Sequence, residues 1–285
     1  MEIAWYPAPG KLNLFLHVLG RRSDGYHELQ TVFRLIEAGD RVGVAALKES
    51  EIRFSGVFGE DNLCVKAARL LQARTGASKG CELRLDKVLP VGGGLGGGSS
   101  DAATVLIVLN RLWQTGLARE ELMRLGRELG ADVPVFIYGR NALGEGIGER
   151  LGALDLEPAW YLVLTPQVAV STREIFGSGA LTRFGKRLTI PPFLSGQGAN
   201  DLEPLVTARY PDVAAHLAWL KNRCPQARMT GSGACVFAEF AAEREARAVH
   251  ATLPREMSGF VTRGLDEHPL RRWLDGSQLG SRQAG

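Results

Sequence analysis

A chain of 285 residues, 45% of them hydrophobic, is long enough to bury a substantial core, and two cores are expected. Its formal net charge of +3 is too mild for a nucleic-acid footprint, since Arg21-Arg22 and Arg271-Arg272 are isolated pairs rather than a basic block. No apolar stretch reaches 18 residues and no charged-then-apolar leader opens the chain, so a soluble cytoplasmic protein with no membrane or nucleic-acid partner is expected.

Residues 11–19 alternate as a strand, with Leu12, Leu14 and Leu16 on one face and Asn13, Phe15 and His17 on the other. Lys11 opens that strand directly after Pro7-Ala8-Pro9-Gly10. Residues 21–25 form a polar turn, 31–36 and 41–44 read as two further strands, 62–73 as a helix and 81–85 as a strand. Cys64, Cys81, Cys224 and Cys235 fit neither a zinc motif nor a C-x-x-C pair and read as reduced, mostly buried thiols.

The most informative stretch, residues 89–104, reads Leu-Pro-Val-Gly-Gly-Gly-Leu-Gly-Gly-Gly-Ser-Ser-Asp-Ala-Ala-Thr. Six glycines in seven positions expose backbone N–H groups, then run into Ser99, Ser100 and Asp101, which are capping residue types. The uncharged run from Ala102 to Leu109 that follows predicts a helix buried on nearly every side. Amides at such a helix start, with its positive dipole end, make an anion site suited to phosphate. No Gly-Lys-Ser/Thr closes the loop, so it is not a Walker A motif. Gly92, Gly94 and Gly97 do satisfy G-x-G-x-x-G, but the region 120–129 has helical spacing where a dinucleotide fold needs a second strand ending in an acid.

A helix over 118–129 is followed by an apolar segment, 133–138, that reads as a strand. Asp132 lies between them; a charge among core-like residues needs a partner or a task, and structural capping is an equal reading from position alone. A new strand at 160–164 follows a turn-rich segment around Pro158, where a domain boundary is placed. Beyond it come a polar loop (195–200), a helix (206–222), strands at 227–230 and 234–240, a helix (241–253) and a final strand (259–262). Residues 229–237, Met-Thr-Gly-Ser-Gly-Ala-Cys-Val-Phe, form a second glycine-rich turn. The order of elements has no regular βαβ period and favours α+β.

Lys11, the glycine loop, Asp132 and this late turn together resemble the GHMP small-molecule kinases, whose motifs are an N-terminal lysine strand, a Gly-Leu-Gly-Gly-Gly-Ser-Ser phosphate loop and a late Gly-Ser/Thr-Gly-Ala turn. The segment 9–33 (PGKLNLFLHVLGRRSDGYHELQTVF), with 60–63, 129–136 and 200–201, narrows the resemblance to the branch that acts on a cytidine-diphosphate-linked methylerythritol. The resemblance spans about residues 7–265, and Gly10 departs from the alanine common in the family.

The resemblance implies a two-domain GHMP kinase fold: an N-terminal domain (1–155) like the second domain of ribosomal protein S5, a ferredoxin-like domain (156–275), and a tail (276–285) without fixed structure. It implies ATP and Mg2+ as cofactors. ATP would lie on Gly92, Gly93, Gly94, Leu95, Gly96, Gly97, Gly98, Ser99, Ser100 and Asp101, with adenine near Asn62, Leu63 and Lys87, and Ser100 would ligate magnesium. Lys11 and Asp132 would flank the reacting hydroxyl. Tyr26 and Phe176 would sandwich the cytosine, His27 would hydrogen-bond it, and Asn13 and Thr172 would make further substrate contacts. The implied activity is phosphorylation of the 2-hydroxyl of that acceptor, in non-mevalonate isoprenoid precursor synthesis, by a monomer or weak homodimer. Two other readings stand beside it: a GHMP kinase for a sugar, homoserine or mevalonate-type alcohol, and an ATP-binding regulator without catalysis. The Gly25-Tyr26-His27 segment argues against the first, and the presence of both Lys11 and Asp132 against the second.

Overall fold

In the computed structural model, which describes residues 2–56, 59–178, 181, 187 and 198–274, two long antiparallel strands form the spine. Strand β1 (Ala4–Arg21) pairs with β2 (His27–Leu47) along nearly its whole length, and the polar turn between them falls where the sequence places it. The two short strands expected at 31–36 and 41–44 are one continuous β2, because pairing with β1 passes from Ile36 opposite Gly10 to Gly39 opposite Pro9 through a register shift instead of turning out. A second register shift, between Asn13 and Phe15, interrupts the alternation of β1, and residues 12–16 are buried on both faces.

Strands β3 (Ile52–Ser55) and β4 (Gly80–Asp86) extend the sheet beyond β2, and a hairpin the sequence reading passed over, β5 (Ala142–Gly146) with β6 (Arg150–Ala153), pairs with β2 through Leu29–Phe33. Strands β7 (Trp160–Leu164), β8 (Arg228–Met229), β9 (Val236–Phe240) and β10 (Gly259–Leu265) belong to the second half of the chain. The order β3-β4-β2-β10-β7-β9-β8 makes a single sheet, in which β10 joins the halves: Gly264 and Leu265 pair with Ile36 and Leu35, while its remaining length pairs with β7.

Four helices cover the first half: α1 (Leu63–Thr75), α2 (Gly97–Leu112), α3 (Arg119–Leu129) and α4 (Val133–Tyr138). As expected, α2 is buried continuously from Ser100 to Leu109. Each of its buried Leu, Ile and Val side chains contributes on the order of 1.5–3 kcal/mol of transfer free energy. The second half carries α5 (Thr172–Phe176), α6 (Glu203–Arg209), α7 (Pro211–Lys221), α8 (Glu243–His250) and α9 (Arg271–Leu274). Leu162, Leu164, Val206, Leu217 and Val236 centre a second core, and Leu12, Ile36, Leu95, Val163 and Phe237 fill a third cluster. The mixed helices and sheet are the α+β arrangement expected.

Three local readings need correction. Residues 133–138 form a short helix, not a strand: Pro134 occupies the first turn, where its missing N–H costs nothing, and Gly139 ends the helix in the left-handed region at φ +73°. The helix read over 206–222 is two helices, because Pro211 forces an extended Tyr210 between them. Ser99, Ser100 and Asp101 do not cap α2. The helix begins within the glycine run, with Gly96 at the N-cap and no side-chain cap bond. Residues 198–200 of the expected polar loop are described; 195–197 and the tail 276–285 lie outside the described residues.

Candidate active site

Strand β1, the start of α2, the start of α4, helix α5 and the turn before β9 converge on one cavity of about 500 Å³, within the roughly 300–1,000 Å³ common for small-molecule sites. Its lining brings together Lys11, Asn13, Asn62, Leu63, Lys87, Gly92 to Ser99, Asp101, Asp132, Thr172 and Phe176. Residues far apart in the chain thus share one surface.

The glycine loop owes its shape to positive φ at Gly92, Gly94 and Gly96. Gly94 is the tightest: a Cβ there would stand 2.3 Å from the Thr230 carbonyl oxygen. With Gly96 at the N-cap, the first helical bond is donated by Ser100 N, leaving the amides of Gly97, Gly98 and Ser99 at the open end of α2. The loop is held from both sides. Lys11 N donates to Leu95 O (2.9 Å), while Ala234 N and Cys235 N donate to Gly92 O and Gly93 O (3.1 Å each). The Cys235 thiol lies against Gly93, and burial pushes its pKa up to about 12, so it is an inert packing group.

Lys11 is 2% exposed, and its ammonium has three acceptors: Asn13 Oδ1 at 2.6 Å, Gly94 O at 2.8 Å and Asp132 Oδ2 at 3.3 Å. Three donors meeting three acceptors fix one orientation of a buried cation. Asp132 stands at the N-cap position of α4 yet makes no side-chain cap bond, and its side chain is 37% exposed. The capping reading left open by the sequence is therefore not the one the structure adopts. The carboxylate faces Lys11 and the cavity.

Beneath the start of α2 lies a buried ionic cluster. Asp40 accepts from Val88 N (2.6 Å), Leu89 N (2.8 Å) and the Lys87 ammonium, which also meets Asp101 at 3.2 Å. Burial raises the Asp101 pKa above its ordinary value against the pull of Lys87. Burial works against the charge of Lys87 too, but Asp101 and Asp40 outweigh it and hold that pKa above normal. A Cβ at Gly97 would stand 2.7 Å from Lys87 Nζ, so the cluster sits directly under the glycine turn. Asp40→Ala would strip the partner from two amides and an ammonium, and should destabilise the protein by about 3–5 kcal/mol. Chemical denaturation checks this; a loss under about 1 kcal/mol would mean that the cluster is not a clamp.

Not every expected residue reaches the cavity. Ser100 is fully buried, is absent from the lining, and its Oγ has no hydrogen-bond partner among the described residues, so its placement as a cation ligand finds no support. Tyr26 is 61% exposed and also outside the lining. His27, whose pKa burial and Arg21 lower, is also outside the lining, with its ring 5.5 Å from that of Phe176. The structure thus brings His27, not Tyr26, to Phe176. Asn62 caps α1 by accepting from Cys64 N at 2.8 Å, with its residue still on the cavity wall. Thr172 Oγ1 and Ser232 Oγ lie 2.7 Å apart at the rim. Sequence reasoning missed Asp40, Thr31, Thr230 and Ser232. Thr230 and Ser232 carried a signal, their place in the late glycine-rich turn.

Comparison with known proteins gives one consistent picture. The family model for the GHMP kinases N terminal domain matches residues 62–140, and that for the GHMP kinases C terminal matches residues 172–259. A protein of Nitrosospira multiformis named 4-diphosphocytidyl-2-C-methyl-D-erythritol kinase is 56% identical over 275 residues, 94% of each chain. One of the same name from Thiobacillus denitrificans is 57% identical, covering 93% of this chain and 96% of its own. The crystal structure of a 4-(cytidine 5'-diphospho)-2C-methyl-D-erythritol kinase superposes with a TM-score of 0.82 at 34% identity, over 92% of this chain and all of that one. A Methanococcus jannaschii mevalonate kinase, at 15% identity and a TM-score of 0.65, shares the fold.

Proposed function

The chain belongs to the GHMP kinase family, and from that membership we propose that it transfers the γ-phosphoryl group of ATP to the 2-hydroxyl of 4-diphosphocytidyl-2-C-methyl-D-erythritol, a step of isoprenoid precursor synthesis. The observation that carries the reading is the Lys11–Asp132 pair, 3.3 Å apart, in the cavity that the open end of α2 also faces. A binding module needs no such pair. Residues 1–155 carry the nucleotide in this reading, and 156–275 close the acceptor side.

The acceptor oxygen forms a bond to the γ-phosphorus while the bond from that phosphorus to the β,γ-bridging oxygen breaks. ADP leaves, and the hydroxyl proton passes to Asp132. Such transfers run through a loose transition state, so positioning and charge neutralisation carry most of the catalysis. In a loose transition state the attacking oxygen is acidified only as its bond forms. Asp132 therefore first holds the hydroxyl in line and takes the proton late. Lys11, already a donor in three directions, exchanges one acceptor for an equatorial oxygen of the transferring group. The amides of Gly97, Gly98 and Ser99 receive the phosphate chain of ATP.

Any magnesium the family implies would be held by the phosphates of ATP rather than by this chain's side chains. The described residues include no group of three His, Cys, Asp or Glu side chains that could hold a metal ion, and Ser100 is not among the residues that line the cavity. The side chains do not fit a protein-built cage. An ion carried by ATP phosphates and its own waters needs none.

The substrate assignment rests on Phe176 and His27 at the acceptor end. Stacking of a base on an aromatic ring is worth roughly 1–3 kcal/mol. Phe176→Ala should therefore raise KM for the cytidylyl acceptor by about 10-fold or more and leave KM for ATP nearly unchanged. Steady-state kinetics with each substrate varied in turn checks this. A variant impaired equally toward both substrates, with a lowered Tm, would show Phe176 to be packing only. A coupled assay across free methylerythritol, its cytidylyl conjugate, mevalonate, homoserine and galactose tests the assignment itself, and equal turnover with and without the cytidylyl group would defeat it.

A further inference from the structure

We propose that Thr31, on β2, is a positioning residue for Lys11, acting through the Asn13 side-chain amide. The inference rests on the assignment of Lys11 to the transfer step and extends it one shell outward.

Three hydrogen bonds are donated in one direction outward from the ammonium, through Asn13 and Thr31 to the Phe15 carbonyl. The Thr31 hydroxyl donates to the Phe15 carbonyl, which spends its only proton. Its oxygen is then an acceptor alone toward Asn13, whose Nδ2 donates to it at 2.8 Å. That commitment turns Asn13 Oδ1 toward Lys11 Nζ, where it accepts at 2.6 Å. Thr31 and Asn13 are 2% and 3% exposed, so water does not compete for these positions. The opposite amide orientation would set an NH2 group against the ammonium and a carbonyl oxygen against a hydroxyl that has no proton to give. Both contacts would be repulsive, and the direction of the chain is fixed by Thr31. The register shift between Asn13 and Phe15 is what brings the Phe15 carbonyl to this hydroxyl. The backbone N–H of Asn13 is occupied separately, by Thr230 Oγ1 at 2.9 Å, so the amide group has freedom only about its own side-chain torsions.

Without the hydroxyl, Asn13 Nδ2 loses its acceptor, and the amide that meets Lys11 is held at one end only. Thr31→Val, which keeps the branched shape, should lower kcat by about tenfold, the value of one oriented buried hydrogen bond, with KM for ATP within twofold of native. Thr31→Ser should restore kcat to within twofold. The cycle with Asn13→Asp separates positioning from packing. A carboxylate accepts from Lys11 with either oxygen and has no orientation to choose, so Thr31→Val added to Asn13→Asp should cost less than twofold. Should Thr31→Val fail to purify folded, Thr31→Ala takes its place in both arms.

Lys11→Ala is measured in the same assay. Near-native turnover of that variant would remove the catalytic assignment and the inference with it. If Lys11→Ala is inactive but Thr31→Val turns over within twofold of native, the inference alone fails. It also fails if Thr31→Val raises only KM for the acceptor, if Thr31→Ser does not rescue, or if the tenfold cost persists beside Asp at position 13.

Discussion

Asp132→Asn is expected to lower kcat by about 10² or more while changing ATP affinity by less than about threefold. The substitution is close to isosteric, and an amide oxygen can still accept from Lys11, so the ammonium keeps the orientation set by Asn13 Oδ1 and Gly94 O. What disappears is the ability to take a proton, together with the negative charge opposite Lys11. Because Asp132 makes no cap bond to α4, the loss is not a loss of helix start, and Tm should hold. Lys11→Ala should be at least as severe in kcat and should also weaken ATP binding, since Lys11 donates to the glycine loop itself. Turnover by coupled assay, with nucleotide affinity by calorimetry, reads both variants. A near-native kcat for Asp132→Asn would return that residue to a structural role and remove the proposed proton acceptor.

Gly94→Ala should abolish measurable nucleotide binding, or weaken it at least tenfold. Two costs combine at this position. The backbone has φ +75°, which an L-residue adopts at about 1 kcal/mol or more, and the added Cβ would lie 2.3 Å from Thr230 O, a backbone atom that cannot rotate away. The loop or the late turn must move, and with it the carbonyl that Lys11 grips. Gly98→Ala is the control for the fold: its φ is not positive and the nearest atom, Leu63 Cδ1, is 3.6 Å away, an ordinary contact. Its Tm should match native. Undiminished ATP affinity of folded Gly94→Ala would show that the loop shape is not what holds the phosphates.

How far the sequence carried depends on whether a feature is local. The glycine run and α2 were legible because glycine permits the backbone and the apolar run declares burial within 16 residues of chain. Lys11, Asp132 and Phe176 were legible through motif resemblance, which carries tertiary information that periodicity lacks. Residues 133–138 were misread because six consecutive apolar residues show neither a 3.6 nor a 2 period; Pro134 in the first turn and Gly139 beyond the last were the signals to weigh. Asp40 and Thr31 were out of reach. Nothing near Asp40 announces that its carboxylate will meet Val88 and Leu89, and Thr31 looks like any strand threonine until the register shift in β1 sets a carbonyl before it. Tyr26 shows the opposite limit. Motif position named it, but in the described fold it stands in solvent at the end of the β1–β2 turn.

The strap from Ala234 and Cys235 onto Gly92 and Gly93 joins positions some 140 residues apart in the chain. A nascent chain that has emerged only through α4 already possesses every glycine of the loop, yet lacks the partners that give those carbonyls their direction. In the proposed reading the nucleotide site would be complete only once the turn before β9 has packed onto the loop.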